Sequence, residues 1–111
     1  MLPPYPIVRA NQVEVERALK NAHPVAIGSE RIEAVNALHQ RAAIGHGLAK
    51  RARFGKAWGL VYRVSGTQVD CSIYSTGALD ASAVATRFGG GGHRNASGFS
   101  VSLAYWLKHF A

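Results

Sequence analysis

Four consecutive glycines followed by a histidine and an arginine, Gly89-Gly90-Gly91-Gly92-His93-Arg94, are the residues of this chain best suited to chemistry. Each glycine costs about 0.5–1 kcal/mol more to order than an alanine would. Ending a helix needs only one of them. The rest point to a backbone that must be free of side chains, as where successive N–H groups approach an anion. His93 and Arg94 follow directly and can add side-chain donors to the same anion. The chemistry on offer is recognition of an anion such as phosphate, with Gly90, Gly91, Gly92, His93 and Arg94 as its carriers. The plain alternatives are a flexible linker for the glycines and an ordinary loop or cap histidine for His93. The run lies between a capped helix and a strand that both look core-forming, which weighs against a linker. It lacks the Gly-Lys-Ser/Thr ending of a Walker loop, and no strand leads directly into it as a dinucleotide fold requires.

Cleavage is a different matter. Two-metal hydrolysis needs several carboxylates and imidazoles to bring two cations within about 4 Å. This chain has six carboxylates, four of them in its first 33 residues, and histidines scattered at 23, 39, 46, 93 and 109. No metal site and no catalytic residue are expected from so thin a set. Ser97 lacks the Gly-x-Ser-x-Gly surroundings of a nucleophile. Cys71 alternates with Val69 and Ile73 and reads as core. His46, between Gly45 and Gly47, suits a structural and a partner-facing role equally; His23 and His109 read as surface. The basic run Lys50-Arg51-Ala52-Arg53-Phe54-Gly55-Lys56 is either a track for phosphates or a solvated helix end whose cations the helix dipole favours.

The elements that must position these residues alternate between helix and strand. Apolar spacing predicts a helix over Gln12–Ala22, stopped by Pro24, then a short buried strand at Val25–Ile27. Arg31–Ala37 fits a strand better than a helix. Arg41–Arg53 carries a helical apolar stripe weakened by Gly45 and Gly47, each by about 1 kcal/mol relative to alanine. Trp58–Val64 and Thr67–Ser75 are β-prone runs joined at Ser65-Gly66 as a hairpin. In the second run Val69, Cys71 and Ile73 face one way, and Gln68, Asp70, Ser72 and Tyr74 the other. Asp80 is a good N-cap for a helix through Arg87, with Leu79 and Val84 at the spacing of a hydrophobic staple. Gly98–Val101 is a short strand. Ser102 caps a last helix with Leu103, Trp106, Leu107 and Phe110 on one face. The fold class is therefore α/β: a mixed β-sheet flanked by helices, with a glycine-rich loop after a helix.

A chain of 111 residues makes a single domain, residues 1–111. Its 48% hydrophobic and 17% charged residues describe a folded globule. One cysteine excludes an internal disulfide and fits a reducing compartment. No apolar run approaches the roughly 18 residues of a membrane span, and the prolines of Met1–Pro6 give an extended entry rather than a signal peptide. A cytoplasmic protein is expected. The charge is +7 and unevenly spread. Bases and acids cancel over residues 1–40, whereas residues 41–111 hold nine bases against Asp70 and Asp80 alone. That excess favours a polyanionic partner, nucleic acid before membrane.

The segment Gly89-Gly90-Gly91-Gly92-His93-Arg94-Asn95-Ala96-Ser97-Gly98-Phe99 resembles the GGGGH-x-x-A-A-G-F signature of the DHH-associated (DHHA) domain, the C-terminal half of DHH phosphoesterases. Those enzymes include oligoribonucleases, single-strand exonucleases and cyclic-dinucleotide phosphodiesterases. Asp80–Ala85 resembles the helix leading to the family's loop, and Cys71–Ser75 the strand ahead of it. Val35-Asn36-Ala37 and Ile44-Gly45-His46-Gly47-Leu48-Ala49 are similar as well, so that the likeness covers about Val25–Val101. It implies a DHHA-type substrate-binding domain whose Gly90–His93 segment holds phosphate or the terminal nucleotide. The family's strand often carries an arginine that meets the nucleotide; Tyr74 stands there instead, where it could stack on a base for about 1–3 kcal/mol. Ser97 replaces the second alanine of the signature. Nothing resembles the Asp-His-His half that carries out cleavage. The catalytic domain is absent from this chain, and with it the divalent metal, such as manganese, that the family uses.

Three functions follow, in order. The first is the substrate-recognition domain of a DHH phosphoesterase, either a cut fragment or half of a split enzyme, inactive alone and partnered by a separate catalytic domain. The second is an independent module for short single-stranded nucleic acid or nucleotides. The third is an interaction domain without nucleotide binding, an idea that Tyr74 keeps open. An open sheet edge could also pair two copies as a homodimer.

Overall fold

The computed structural model describes residues 6–111. The chain runs α1 (Pro6–Lys20), β1 (His23–Ile27), β2 (Glu30–Asn36), α2 (Arg41–Arg51), β3 (Trp58–Ser65), β4 (Gln68–Ser75), α3 (Ala81–Thr86), β5 (Gly91–His93), β6 (Ala96–Ser102) and α4 (Leu103–His109). The expected α/β class holds: the strands form one six-stranded mixed sheet in the order β1-β2-β3-β4-β6-β5. Only β2 and β3 run parallel. Parallel neighbours need a crossover, and α2 supplies it. Of the stretch Met1–Pro6 read as an extended entry without a signal peptide, residues 1–5 lie outside the described residues, and Pro6 opens α1 instead of extending.

Strand alternation divides the core between the two faces of the sheet. On one face Val25, Ile27, Ile32, Ala34, Leu60 and Ile73 pack beneath α3 and α4, with Val84, Trp106 and Phe110 from the helical side. On the other Val35, Val61 and Tyr74 meet Ile44 and Leu48 of α2, with Val15, Ala18 and Leu19 of α1 against them. The expected division of β4 is present: Val69, Cys71 and Ile73 join the first cluster and Tyr74 the second. Pro24 does not stop α1, which has already ended at Lys20; it sits in β1, an outer strand where a missing N–H is tolerated.

Local signals explain much of the rest. Ser65 pairs with Gln68, so the β3–β4 turn is Gly66-Thr67, one residue beyond the expected place. Gly66 has φ +62 while Thr67 stays out of the positive region, the pattern of a type II′ turn. Asp80 caps α3 by accepting the Ser82 N–H at 3.0 Å, and Ser102 caps α4 by accepting that of Tyr105 at 3.1 Å. Leu107 departs from its expected place on the packed face of α4: it is 63% exposed, while Trp106 and Phe110 are buried. His23 is not simply surface either, since its Nε2 and the Tyr62 hydroxyl share a 2.9 Å hydrogen bond.

Gly45 is more than a weak point in α2. A Cβ there would collide with the Tyr74 ring, and one on Gly59 would strike Leu48 and the Gly45 carbonyl. The two glycines let the helix lie against β3 and β4 at a separation no larger residue allows.

Candidate functional site

The glycine run serves two structural purposes before any ligand is considered. Gly89, at φ +81, is the left-handed residue that ends α3. Its N–H donates to Thr86 O and that of Gly90 to Ala85 O, both at 3.0 Å, which is the bond pair of a Schellman motif. Beyond it the chain does not form the loop expected from sequence. Gly91–His93 is an outer strand, β5, paired antiparallel with β6 as Gly91↔Gly98, Gly92↔Ser97 and His93↔Ala96. Gly90 passes so close to Gly98 and Phe99 that a Cβ could not be placed, and Gly92 (φ +146) would set one 2.8 Å from Ala96 O. Three of the four glycines therefore have reasons inside the fold. Gly91 has none: its φ is not positive, and a Cβ there would meet nothing within 4 Å.

Arg94 and Asn95 close the β5–β6 hairpin and tie it to the end of β4. Asn95 Nδ2 donates to Ser75 O, and the Ser75 N–H donates to Asn95 O, both at 3.0 Å. Arg94 Nη2 donates to Ala78 O at 2.9 Å, and Arg94 O accepts the Ala81 N–H at 2.7 Å. The Arg94 guanidinium is thus engaged with the loop before α3. Ser97 Oγ donates to His93 O at 2.6 Å, a bond that the family's alanine would not make. The His93 side chain is exposed.

What these residues enclose is an open trough on the α1/α2 face. Its outer part, about 270 Å³, is lined by Tyr74, Gly91, Gly92, Ala96 and Gly98, with Ser72 at its inner end. Ser72 and Gly98 also line an adjoining hollow of about 560 Å³ that reaches Arg41, Asp70 and Ser100. Register explains the alignment: Gly91, Gly98 and Ser72 are directly opposed across three strands, so they share a face. Helix α2 covers β2 to β4 but stops short of β6 and β5, and small residues leave that strip low. Gly91, Gly92 and Tyr74 are brought together at the trough, and Gly90 lines the adjoining hollow; exposed His93 ends the same strand as Gly91 and Gly92 but lines neither. Tyr74 is only 8% exposed, with Gly45 against its ring and His46 in edge contact at 5.4 Å. Little of the ring is left for stacking on a base.

Two features of the site escape sequence reasoning. Arg41, on the first turn of α2, reaches across the sheet and donates from Nη2 to Val61 O and Ser72 Oγ, both at 3.0 Å. Asp70 stands beside it with a carboxyl held below its usual range, first by the Ser100 hydroxyl at 2.7 Å and then by Arg63 and Arg41. The run Lys50–Lys56, by contrast, is engaged with acids. Arg51 forks onto buried Glu33 at 2.7 and 2.8 Å, which raises the Arg51 pKa, Arg53 lies 3.6 Å from the same carboxylate, and Lys56 pairs with Glu30.

Among the described residues no three His, Cys, Asp or Glu side chains converge on one point. The donor set of the described residues does not fit a divalent metal. No described helix is long and apolar enough to cross a membrane.

No protein-family model matches the chain, and no curated protein does. Solved structures share its fold. An uncharacterized protein from Helicobacter pylori G27 superposes with a TM-score of 0.52 at 16% identity, over 81% of this chain and 24% of that one. A pGpG-specific phosphodiesterase from Vibrio cholerae superposes with a TM-score of 0.60 at 7% identity, over 90% of this chain and 36% of its own. The likeness is one of fold, and this chain spans roughly a quarter to a third of the proteins it resembles.

Proposed function

We propose that this chain is the substrate-holding, DHHA-type domain of a DHH phosphoesterase, and that it binds the phosphorylated end of a short single-stranded nucleic acid at Gly91, Gly92 and His93. The observation that carries the reading is Gly91. It is the one glycine of the run with no internal reason to lack a side chain, and it lies in the wall of the trough. Edge-strand N–H groups are available there, and the exposed His93 follows on the same strand to complete the anion's shell. Support comes from the fold shared with a pGpG-specific phosphodiesterase, of which this chain matches a domain-sized part. In this role the chain holds and orients; the bond is cleaved by metal ions held in a separate catalytic domain.

Fluorescence anisotropy with a 5′-phosphorylated diribonucleotide tests the reading. His93→Ala should weaken binding at least tenfold, about 1.4 kcal/mol. Gly91→Ala should do the same while melting at or slightly above the wild-type temperature, because its Cβ enters open space. Equal binding by all three proteins moves the interaction to the general basic surface. Absence of binding by the wild type overturns the proposal in favour of an interaction domain.

A further inference from the structure

Arg41 is a half-buried cation with no carboxylate at salt-bridge distance among the described residues. Arg51, Arg53, Lys56 and Arg63 each have a carboxylate within 4.0 Å. Arg41 has none among the described residues. Its Nη2 is held by two neutral acceptors, Val61 O and Ser72 Oγ, and its Nε is shut away from solvent without a partner. Asp70 is near enough for Arg41 to help lower its pKa, but its hydrogen bonds go to Ser100 and Arg63. Arg41 Nη1 takes part in neither the Val61 nor the Ser72 bond, so the guanidinium, oriented by its neighbours, keeps N–H donors for an oxyanion.

Its position gives the anion an identity. Ser72, to which Arg41 bonds, lies where the trough meets the larger hollow. Gly91 is two strands away along the same row of opposed residues. At about 4.8 Å between strands, the two points are roughly 10 Å apart. Resting on the function proposed above, we infer that Arg41 receives a second phosphate, the internal phosphodiester of a strand whose terminal phosphate lies at Gly91–His93. The domain then selects ligands of two or more nucleotides over mononucleotides.

The test compares a nucleoside 5′-monophosphate with a 5′-phosphorylated diribonucleotide, on the wild type and on Arg41→Gln, with melting curves for both proteins. The expected result is a loss of at least tenfold for the dinucleotide, an unchanged mononucleotide affinity, and a salt slope lower by about 0.7 for the dinucleotide. If Arg41→Gln does not fold, Arg41→Lys is read instead; it keeps the charge, loses the planar guanidinium that Val61 O and Ser72 Oγ orient, and should show the same selective loss, reduced in size. Equal losses for both ligands, or none for either, overturn the role of Arg41 and leave the terminal-phosphate site standing. Failure of the wild type to bind either ligand overturns the underlying reading as well.

Discussion

Gly45 and Tyr74 form a matched pair, and each explains the other. The ring fills the space that a Cβ on α2 would need, so Gly45→Ala should destabilise the fold by about 1–3 kcal/mol through overpacking. Combining it with Tyr74→Ala should recover part of that loss, a coupling that denaturant unfolding of the four proteins in a double-mutant cycle measures directly. Cys71 shows what burial does to a reactive group. It is 3% exposed, and burial pushes its thiol up to about 12. A group that cannot ionise in the folded state favours the unfolded one as pH rises past the ordinary thiol range. Stability is therefore unaffected below about pH 9 and falls by about 1.4 kcal/mol per unit above it. Cys71→Ala should remove most of this alkaline decline in denaturant titrations at pH 7 and pH 10.5, and the wild-type thiol should resist alkylating reagents until the protein unfolds.

At the level of elements, local rules decided what could be read in advance. The β3–β4 hairpin, the two faces of β4 and the Asp80 and Ser102 caps each depend on neighbours a few residues away, and all are present. Strand β5 was not legible, because glycine has no strand propensity and Gly91–His93 becomes a strand only by lying against β6. Arg41 was hidden for a related reason. Sequence counts bases, but only the fold shows that the basic run at the end of α2 meets Glu33 and Glu30 while Arg41 makes no salt bridge among the described residues. The ends of α2 also break local preference: Gln40 and Ala52 both have positive φ. Ala52→Gly should raise stability by about 1 kcal/mol, readable as a higher melting temperature, since glycine takes the left-handed C-terminal position without the Cβ clash. At α3, the Ser82 hydroxyl and N–H keep the Asp80 carboxyl below its usual range. The cap is complete near neutrality and lost on acidification, so Asp80→Ala should lower the melting temperature more at pH 7 than at pH 3.

Across the whole molecule, the coverage of the sheet is uneven. Helices α3 and α4 close one face, and α1 and α2 close the other only over β2 to β4. The site lies on the strip left open and is made largely of main chain and small side chains, which is why composition and motif spacing could point to the glycine run but not to the trough's inner end. That strip also spans the sheet's mechanical gradient. Strand β4 is central and paired on both sides over its length; β5 has three residues, two of them glycine, and a partner on one side only. Amide hydrogens of Gly91–His93 should exchange with deuterium through local opening long before those of Cys71–Tyr74, which await global unfolding. A ligand fixed at both His93 and Arg41 would staple the loosest strand to the firmest. Bound dinucleotide should then slow exchange at β5 most, whereas a mononucleotide, held at β5 without the tie to Arg41, should slow it less.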